Sequence, residues 1–357
     1  MITTSPTRQR GATLSAVLGA VAGLVLAPVP TSAAEECRMK QIANIPARIA
    51  PENQLLIQAD LNGKPVELRL DTGLGISALS RSLVQRLGLP IETSHELRYQ
   101  YALNDVFKVF AEPGTEGSDP GYAGSELTER TRIPKMVLGG AVTEFEEFAV
   151  VPVGGDGSDN RPVGVFGNDY LLLYDLELDP AGGRVKLYEQ DHCGDRVVTW
   201  APQYSTLPIQ VDPVTRWATA DVELDGHRLR ALIDTGSEFT TLPLGTAGRY
   251  FGLDEHSPGV VEAGSDVTLE GRAVPRYAFD FKSLKLGDLV VGNPRIMLET
   301  MRMMRHTPTS THIARAAEVA PDIIIGENLL RKLHIYFAFK DSVAYFTVVP
   351  PPAPAVN

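Results

Sequence analysis

Cysteine and histidine are scarce in this chain, and neither forms a recognisable metal or nucleophile motif. Among 357 residues there are two cysteines, Cys37 and Cys193, and no local motif of a cysteine nucleophile accompanies either. The seven histidines are scattered without the spacing of metal ligands, so a zinc centre is not expected. A Gly-x-Ser-x-Gly elbow and a phosphate-cradling glycine loop are also missing. We therefore expect no metal and no other cofactor.

Positive charge is also in short supply. The chain has 33 lysines and arginines against 44 aspartates and glutamates, which gives a formal net charge of -11 and a pI of about 5.2. Such a surface repels phosphate backbones and anionic lipid headgroups. Nucleic acid and the membrane surface are therefore not expected as partners. The length allows roughly two domains of ordinary size.

The chain also lacks an apolar run at its start that is long enough for a comfortable membrane span. The run Leu14–Val29 is shorter than the ~20 residues of a typical transmembrane helix. Arg8 and Arg10 precede it, and small residues follow it up to Ala34. This order is typical of a secretory signal peptide, which we place at residues 1–34. We expect export to the periplasm or the cell exterior with no stable span after cleavage; a retained anchor is the alternative.

Export would carry the two cysteines into an oxidising compartment. Cys37 and Cys193 are then candidates for one disulfide, which would join the start of the mature chain to the end of its first half. Two unrelated free thiols are the alternative that the sequence leaves open.

A short segment occurs twice and sets the organisation of the chain. Its copies, each preceded by a two-residue turn, are Val66–Gly73 after Asn62–Gly63 and Leu229–Gly236 after Asp225–Gly226. In each copy an apolar strand, a glycine turn and a second strand predict a hairpin that ends in Asp-Thr-Gly. The aspartates of the two triplets, Asp71 and Asp234, are therefore expected where a strand passes into a loop.

Downstream of each aspartate the same frame repeats. After Asp71 the sequence predicts a short helix over Arg81–Leu87, with Ser80 as its N-cap and Gly88 as its end. In the second half a corresponding stretch ends at Gly252. A hydrophobic-hydrophobic-glycine signature and an alternating, strand-like segment follow in both halves, namely Phe166–Gly167 with Asp175–Tyr188, and Ile325–Gly326 with His334–Val348.

The two frames predict an all-β protein built from two similar lobes. Short alternating strands with frequent glycine and proline support the all-β class. We place the first lobe at residues 35–196, the second at residues 197–349 and a flexible tail at residues 350–357. The lobes are expected to be related by a pseudo-twofold axis. Because one chain contains both lobes, the protein is expected to be a monomer.

The two aspartates have the chemistry for peptide hydrolysis without a metal or a covalent intermediate. Two carboxyl groups a few ångström apart cannot both ionise easily, so the pair keeps one proton and acts on one water as base and acid. Asp71 and Asp234 are therefore the candidate catalytic residues. The candidate supporting residues are glycines that allow a tight turn, threonines whose hydroxyls bridge the two loops and the serine after the second triplet, namely Thr72, Gly73, Thr235, Gly236 and Ser237.

With these residues the chain resembles the pepsin and retropepsin-like aspartic proteases, and in particular a bilobal, exported bacterial member. The resemblance rests on five segments, Asp71–Gly73, Asp234–Gly236, Leu87–Leu89, Phe166–Gly167 and Ile325–Gly326. It implies β-barrel-like lobes, two catalytic aspartates and threonines joined by crossed hydrogen bonds. It also implies a β-hairpin flap over an extended peptide or protein substrate, and hence an aspartic-type endopeptidase.

One position departs from the family pattern. The residue after each triplet is usually serine or alanine in such proteins; Ser237 fits, and Leu74 does not. A serine hydroxyl there is expected to hydrogen-bond the outer oxygen of its aspartate and to favour the ionised form. Asp71 would then hold the shared proton more readily than Asp234. Leu74 also supports an alternative function, a non-catalytic peptide-binding protein that keeps the protease fold.

The flap is not identified by a single pattern. By position, Tyr99–Lys108 or the turn at Ala123–Ser125 could cover the first lobe. Tyr99 or Tyr101 would then be a flap tyrosine, with an ordinary strand aromatic as the alternative. The basic, methionine-bearing segment Met301–Arg315 is either the lining of a subsite or an insertion loop.

Overall fold

The computed structural model describes residues 39–51, 53–93, 128–152, 154–158, 163–191, 196–213, 215–267, 273–299 and 320–349. These residues form 22 β-strands and four short helices, and they belong to one compact unit. The predominance of strands confirms the all-β prediction.

The strands are β1 (Gln41–Ile49), β2 (Leu55–Leu61), β3 (Lys64–Leu70), β4 (Ala78–Ser80), β5 (Glu92–Thr93), β6 (Glu129–Leu138), β7 (Ala141–Val151), β8 (Gly164–Phe166), β9 (Asp175–Asp179), β10 (Arg184–Tyr188), β11 (Ser205–Val211), β12 (Ala218–Leu224), β13 (His227–Ile233), β14 (Thr241–Pro243), β15 (Val261–Val267), β16 (Ala273–Asp280), β17 (Ser283–Leu286), β18 (Leu289–Gly292), β19 (Arg295–Glu299), β20 (Ile323–Ile325), β21 (Leu333–Ala338) and β22 (Val343–Val348). The helices are α1 (Arg81–Arg86), α2 (Asn168–Leu171), α3 (Leu244–Phe251) and α4 (Glu327–Leu330).

The two predicted hairpins are present. Strands β2 and β3 pair across the turn at Asn62 and Gly63, and β12 and β13 pair across Asp225 and Gly226. All four turn residues have a positive φ, from 45° at Asp225 to 86° at Gly226. Two-residue hairpin turns of type I′ require this conformation, which asparagine, aspartate and glycine adopt most readily. The turn residues therefore set the register of both hairpins.

The first half closes into a six-stranded barrel. Its strands pair in the order β2, β3, β8, β4, β7 and β6, and β6 pairs back onto β2. The β3–β8 and β4–β7 pairs are parallel. Along β3, Leu68 and Leu70 are buried in the core, while Arg69 between them belongs to the opposite face of the strand.

The second half repeats this order of pairings. Strand β12 pairs with β13, β13 with β20, β20 with β14, β14 with β19, and β19 with β16. Strand β17, which follows β16, pairs back onto β12. The parallel pairs are again two, β13–β20 and β14–β19. The matched order supports the internal repeat, whereas the pseudo-twofold relation and the lobe boundary after residue 196 stay predictions.

A third sheet takes strands from both halves. Its antiparallel order is β1, β10, β9, β21, β22 and β11. The two outer strands continue into the neighbouring groups, since β1 also pairs with β2 and β11 with β12. The predicted alternating segments Asp175–Tyr188 and His334–Val348 are thus the two hairpins at the centre of this sheet.

Helix α1 begins and ends as predicted. Ser80 Oγ accepts a hydrogen bond from Leu83 N at 3.0 Å, which satisfies one of the free amides of the first turn. Gly88 follows the helix with a φ of 65°, a conformation that commonly ends helices. Helix α3 ends in the same way at Gly252, with a φ of 67°.

Several predicted features lie outside the described residues. They are the signal peptide at residues 1–34, Cys37 and Cys193, the flap candidates Tyr99–Lys108 and Ala123–Ser125, the segment Met301–Arg315 and the tail at residues 350–357. Within the part of the chain that the structure describes, no helix is both long enough and apolar enough to cross a membrane.

A buried glutamate joins three strands of the third sheet. Glu177 is 3% exposed and receives hydrogen bonds from Lys186 Nζ and Tyr188 Oη at 2.6 Å, with His334 Nε2 at 2.9 Å. Burial raises the pKa of Glu177, but its bonds to these groups outweigh burial, and the net pKa lies below the ordinary value. Asp179 brings a third ligand atom within 4.8 Å of Glu177 and His334, yet the Lys186 ammonium opposes a cation there.

Replacing this glutamate is expected to destabilise the protein in a pH-dependent way. Glu177→Gln should lower the free energy of unfolding at neutral pH by about 1–3 kcal/mol, because charge-assisted bonds become neutral ones. A carboxyl whose pKa is depressed by folding contributes stability above its unfolded pKa and loses it as the pH falls through the folded pKa. The difference between Glu177→Gln and wild type should therefore shrink in acid, as measured by urea unfolding at several pH values.

The matched control is Glu189→Gln, since Glu189 pairs with Lys40 on the surface and its side chain is 44% exposed. An exposed pair of this kind contributes at most about 1 kcal/mol. Equal losses in the two variants, or a loss at Glu177 that persists unchanged in acid, would contradict the assignment.

Candidate active site

The two Asp-Thr-Gly triplets begin directly after strands β3 and β13. Asp71 N donates to Phe166 O, and Asp234 N donates to Ile325 O, each at 3.0 Å. These bonds extend the parallel pairs β3–β8 and β13–β20 by one residue. Each aspartate therefore leaves its strand beside the hydrophobic-hydrophobic-glycine signature of its own half, as the two frames in the sequence predict.

The predicted threonine bridge is present and reciprocal. Thr72 N donates to Thr235 Oγ1 at 3.1 Å, and Thr235 N donates to Thr72 Oγ1 at 3.0 Å. Each hydroxyl also donates to a carbonyl of the opposite strand, Thr72 Oγ1 to Ile233 O at 2.8 Å and Thr235 Oγ1 to Leu70 O at 2.9 Å. Both threonines are at most 1% exposed. Four buried hydrogen bonds therefore join the two strand ends.

Gly73 and Gly236 are required by the close approach of the opposite aspartate. A Cβ atom on Gly73 would lie 2.3 Å from Asp234 Cγ, and one on Gly236 would lie 2.2 Å from Asp71 Cγ. Any larger residue would displace a carboxyl group. The glycine amides also hold the aspartate of their own triplet, Gly73 N to Asp71 Oδ1 at 3.0 Å and Gly236 N to Asp234 Oδ1 at 2.7 Å. All six residues of the two triplets thus meet at one place.

The two carboxyl groups lie close together. A Cβ atom on Gly73 would lie 2.3 Å from Asp234 Cγ, while Gly73 N donates to Asp71 Oδ1 at 3.0 Å, so one glycine lies against both side chains. Two carboxyl groups this close cannot both ionise easily. Burial, followed by the negative charge of Asp71, raises the pKa of Asp234 well above its ordinary value. Asp71 itself is 4% exposed. The arrangement favours one ionised and one protonated carboxyl.

Arg69, which sequence reasoning missed, makes this pair electrostatically unequal. Its Nε lies 3.9 Å from Asp71 Oδ2, and its side chain is 11% exposed. The guanidinium favours the ionised form of Asp71, and it also acts on Asp234, whose pKa it lowers against the larger effect of burial. This contact opposes the expectation that Asp71 holds the proton more readily, which stays a prediction. A signal was available, because a residue two positions before Asp71 lies on the same face of the strand.

A third carboxyl group lies near the pair. Glu327, the first residue of α4, follows Gly326 and is 2% exposed. Burial raises the pKa of Glu327 to about 8, against the positive charges of Arg331 and Arg69 and with a further contribution from Asp234. Glu327 is therefore mostly protonated at neutral pH. Sequence reasoning missed it because only the glycine before it belonged to the motif.

Asn168 takes the corresponding place in the first half, directly after Gly167. Its Nδ2 donates to Thr72 O at 2.6 Å and to Arg216 O at 2.7 Å. Its backbone N donates to Leu74 O at 2.8 Å. Asn168 is 1% exposed, so these bonds are shielded from water. The bonds to Thr72 O and Leu74 O fix the backbone on both sides of Gly73.

A turn of the second half also holds the first aspartate loop. Trp217 Nε1 donates to Gly73 O, and Arg216 Nη1 donates to Gly75 O, each at 2.7 Å. Both donors lie in the turn between β11 and β12, which is closed by the bond from Asp212 N to Trp217 O at 3.0 Å. Sequence reasoning missed these contacts because they join residues 144 and 141 positions apart.

The residues that follow the two triplets differ from the prediction. Ser237 Oγ donates to Phe239 O at 2.9 Å, so its single proton is not directed at Asp234 as expected. Leu74 is 3% exposed and lies in the interior. Since Ser237 does not donate to its own aspartate, the absence of serine at position 74 removes no equivalent bond from Asp71.

A family model and a solved structure are similar to this chain. The model of a family described as aspartyl protease matches residues 57–109, a stretch that includes the first triplet, and it supports an aspartic protease-like family. The crystal structure of basic 7S globulin from soybean has a TM-score of 0.44 and 8% sequence identity, over 87% of this chain and 95% of that chain. A likeness at this level carries no argument about function. No curated protein matches the chain.

Removing one hydroxyl of the threonine bridge is expected to destabilise the protein. Thr72→Val keeps the shape of the side chain but leaves Thr235 N and Ile233 O without their partner. Each buried group left unpaired costs about 1–3 kcal/mol, so the expected loss is about 2 kcal/mol or more in urea unfolding.

The matched control is Thr72→Ser, which keeps the hydroxyl and should retain most of the stability. A Thr72→Val protein that unfolds at the same urea concentration as wild type would show that the four bonds do not hold the two strand ends together.

Proposed function

We propose that this chain is an aspartic endopeptidase in which Asp71 and Asp234 activate one water molecule against a peptide bond. The observation that carries the proposal is the close approach of the two carboxyl groups, each against the glycine of the opposite triplet, on loops joined by the crossed threonine bonds. Such a pair holds one proton, so that one member serves as base while the other serves as acid. The family-model match, which includes Asp71, supports the same class of reaction.

Each aspartate regains its starting protonation state after one turnover. In the attack step Asp71 accepts a proton from water, whose oxygen bonds to the carbonyl carbon, while Asp234 donates its proton to the carbonyl oxygen. The C–N bond of the resulting diol then breaks as Asp71 gives its proton to the nitrogen and one hydroxyl returns a proton to Asp234. Both carboxyl groups end as they began, so the pair is ready for the next water.

The finer features of the proposal follow from the whole chain. The substrate is an extended peptide or protein that lies across two pseudo-twofold-related, retropepsin-like lobes. The order of charged, apolar and small residues in 1–34 supports export to the periplasm or the cell exterior. One chain supplies both aspartates, which supports a monomer. The net charge of -11 favours neither nucleic acid nor an anionic membrane as a partner.

A peptide-binding protein without turnover is the second candidate. Leu74 favours it, because a bulky apolar residue stands where relatives of the proposed family carry serine or alanine. This function predicts that peptides bind to the protein and remain uncut. Equilibrium binding of a peptide library, followed by mass spectrometry of the recovered peptides, separates the two candidates.

Neutralising either aspartate is expected to abolish cleavage. Asp71→Asn and Asp234→Asn should each lower kcat by roughly 10²-fold to 10⁴-fold, because the pair loses its base or its exchangeable proton. The assay is cleavage of a mixed peptide library by the purified protein, with a statine-type transition-state analogue as inhibitor.

The matched control is Asp221→Asn, whose side chain is 50% exposed and pairs with Arg228 at the surface. It should cleave at the wild-type rate. Full cleavage by Asp234→Asn would remove the pair from the mechanism, and binding without cleavage by the wild type would favour the second candidate.

The raised pKa of Asp234 predicts activity at a pH where ordinary aspartates are ionised. Asp234 must be protonated to act as the acid, so activity should fall on the alkaline side only as this group ionises. It should fall on the acid side as Asp71 becomes protonated. The measurement is kcat/KM for one peptide across the pH range. A rate already lost above about pH 5, where an ordinary aspartate is ionised, would contradict the raised pKa.

A further inference from the structure

Arg69 is a nearly buried cation beside the two aspartates. It lies in β3 two positions before Asp71, and its neighbours in register on the adjoining strands are apolar, Leu56 in β2 and Val165 in β8. Its side chain is 11% exposed, and the nearest acidic atom that pairs with it is Asp71 Oδ2, at 3.9 Å from Nε. A charge in such surroundings acts more strongly on its neighbours than one in water.

The guanidinium is not neutralised by a close partner. Its buried Nε has no hydrogen-bond partner among the described residues. At 3.9 Å the contact with Asp71 is longer than a hydrogen bond. The interaction is therefore that of a charge on a neighbouring carboxyl group, and it acts on the ionisation of Asp71 more than on its position.

The second half has no charge in the equivalent place. Two positions before Asp234 stands Leu232, which is 2% exposed. Both strands end in the same triplet, and both carboxyl groups accept a bond from their own glycine amide. The difference between Arg69 and Leu232 is thus one that distinguishes two otherwise similar aspartates.

We infer that Arg69 determines which aspartate holds the shared proton: it keeps Asp71 ionised as the base toward water and leaves the proton on Asp234. The inference rests on the proposed function for its effect on catalysis. Arg69 acts through Asp71 and touches no reacting atom, so it is a positioning residue for the proton.

The other charged groups near the pair are consistent with this role. The charge of Arg69 acts on Asp71, Asp234 and Glu327, and Arg331, which follows the last residue of α4, also acts on Glu327. The pKa of Glu327 is raised to about 8, chiefly by burial, so this carboxyl group is mostly neutral at neutral and acidic pH. It therefore leaves the charge of Arg69 available to the aspartates over the range in which peptide cleavage is expected.

The test is Arg69→Leu, which places at position 69 the residue that the second half has at position 232. Loss of a positive charge disfavours the ionised form of both aspartates. The acid limb of kcat/KM against pH, which reports Asp71, should therefore move upward by roughly one unit or more, as expected for an opposite charge within ~4–6 Å. The alkaline limb, which reports Asp234, should move upward by less, because Arg69 pairs with Asp71 and not with Asp234; equal movement of the two limbs would contradict the inference. Arg69→Lys keeps a charge and should return both limbs most of the way toward wild type.

The matched control is Arg228→Leu in β13, where the arginine is 78% exposed and pairs with Asp221. Its profile should coincide with that of wild type. Thermal unfolding of each variant identifies any that fails to fold, and Arg69→Lys then supplies the comparison. A change confined to KM with both limbs unmoved would assign Arg69 to substrate binding and overturn the inference.

A second readout does not require turnover. Aspartate carboxyl carbons labelled with ¹³C in the full protein report their own ionisation by NMR. In wild type one carboxyl of the pair should titrate well below the other, and in Arg69→Leu the lower titration should move upward. If the carboxyl groups titrate identically in wild type and in Arg69→Leu, the inference is overturned even if the protein cleaves peptides. A shift without any cleavage would support it while contradicting the proposed function.

Discussion

The crossed hydrogen bonds between Thr72 and Thr235 are the constraint on which the rest of the site depends. Each hydroxyl is donor and acceptor at once, so neither strand end can move without breaking buried bonds on both sides. That fixed separation leaves room only for glycine between each loop and the opposite carboxyl group. The close approach of the aspartates, which adds to burial in raising the pKa of Asp234, is thus a consequence of where the backbone is held.

Two halves with the same order of strand pairings support this site by different means. The first loop is held from outside, by Asn168 of its own half and by Arg216 and Trp217 of the other. In the second, Ser237 satisfies its hydroxyl locally. Two carboxyl groups in equal surroundings would share one proton without preference, and either could be the base. Unequal surroundings, with Arg69 on one side, give each of them a preferred state.

The parts that could be predicted from the sequence depend on short-range signals. The hairpin turns need residues that tolerate a positive φ, helix α1 needs its serine cap, and the duplicated triplets imply one another. Arg69 was missed although its place two positions before Asp71 puts both side chains on one face of the strand, because a charged residue in an alternating strand is ordinarily a solvent-exposed one. Trp217 was missed because it bonds to a loop of the other half of the chain. Glu327 was missed because its raised pKa depends on burial in the folded protein. Neither property can be read from neighbouring residues in the sequence. For Ser237 the short-range signal was misleading, because its hydroxyl donates to Phe239 O and not to Asp234 as its position in the motif predicted.

The interlocking of the two glycines with the opposite aspartates has a consequence for redesign. The room for Gly73 is set by Asp234, and the room for Gly236 is set by Asp71, so each half contains the specification of the other. Changes at these positions will not add independently, because neighbouring sites that share a contact are energetically coupled. A chimera that replaces one half with a foreign domain would have to import the matching loop geometry as well. The two aspartate loops would therefore have to be transferred together into another protein, because neither half of the chain contains the complete geometry of the site.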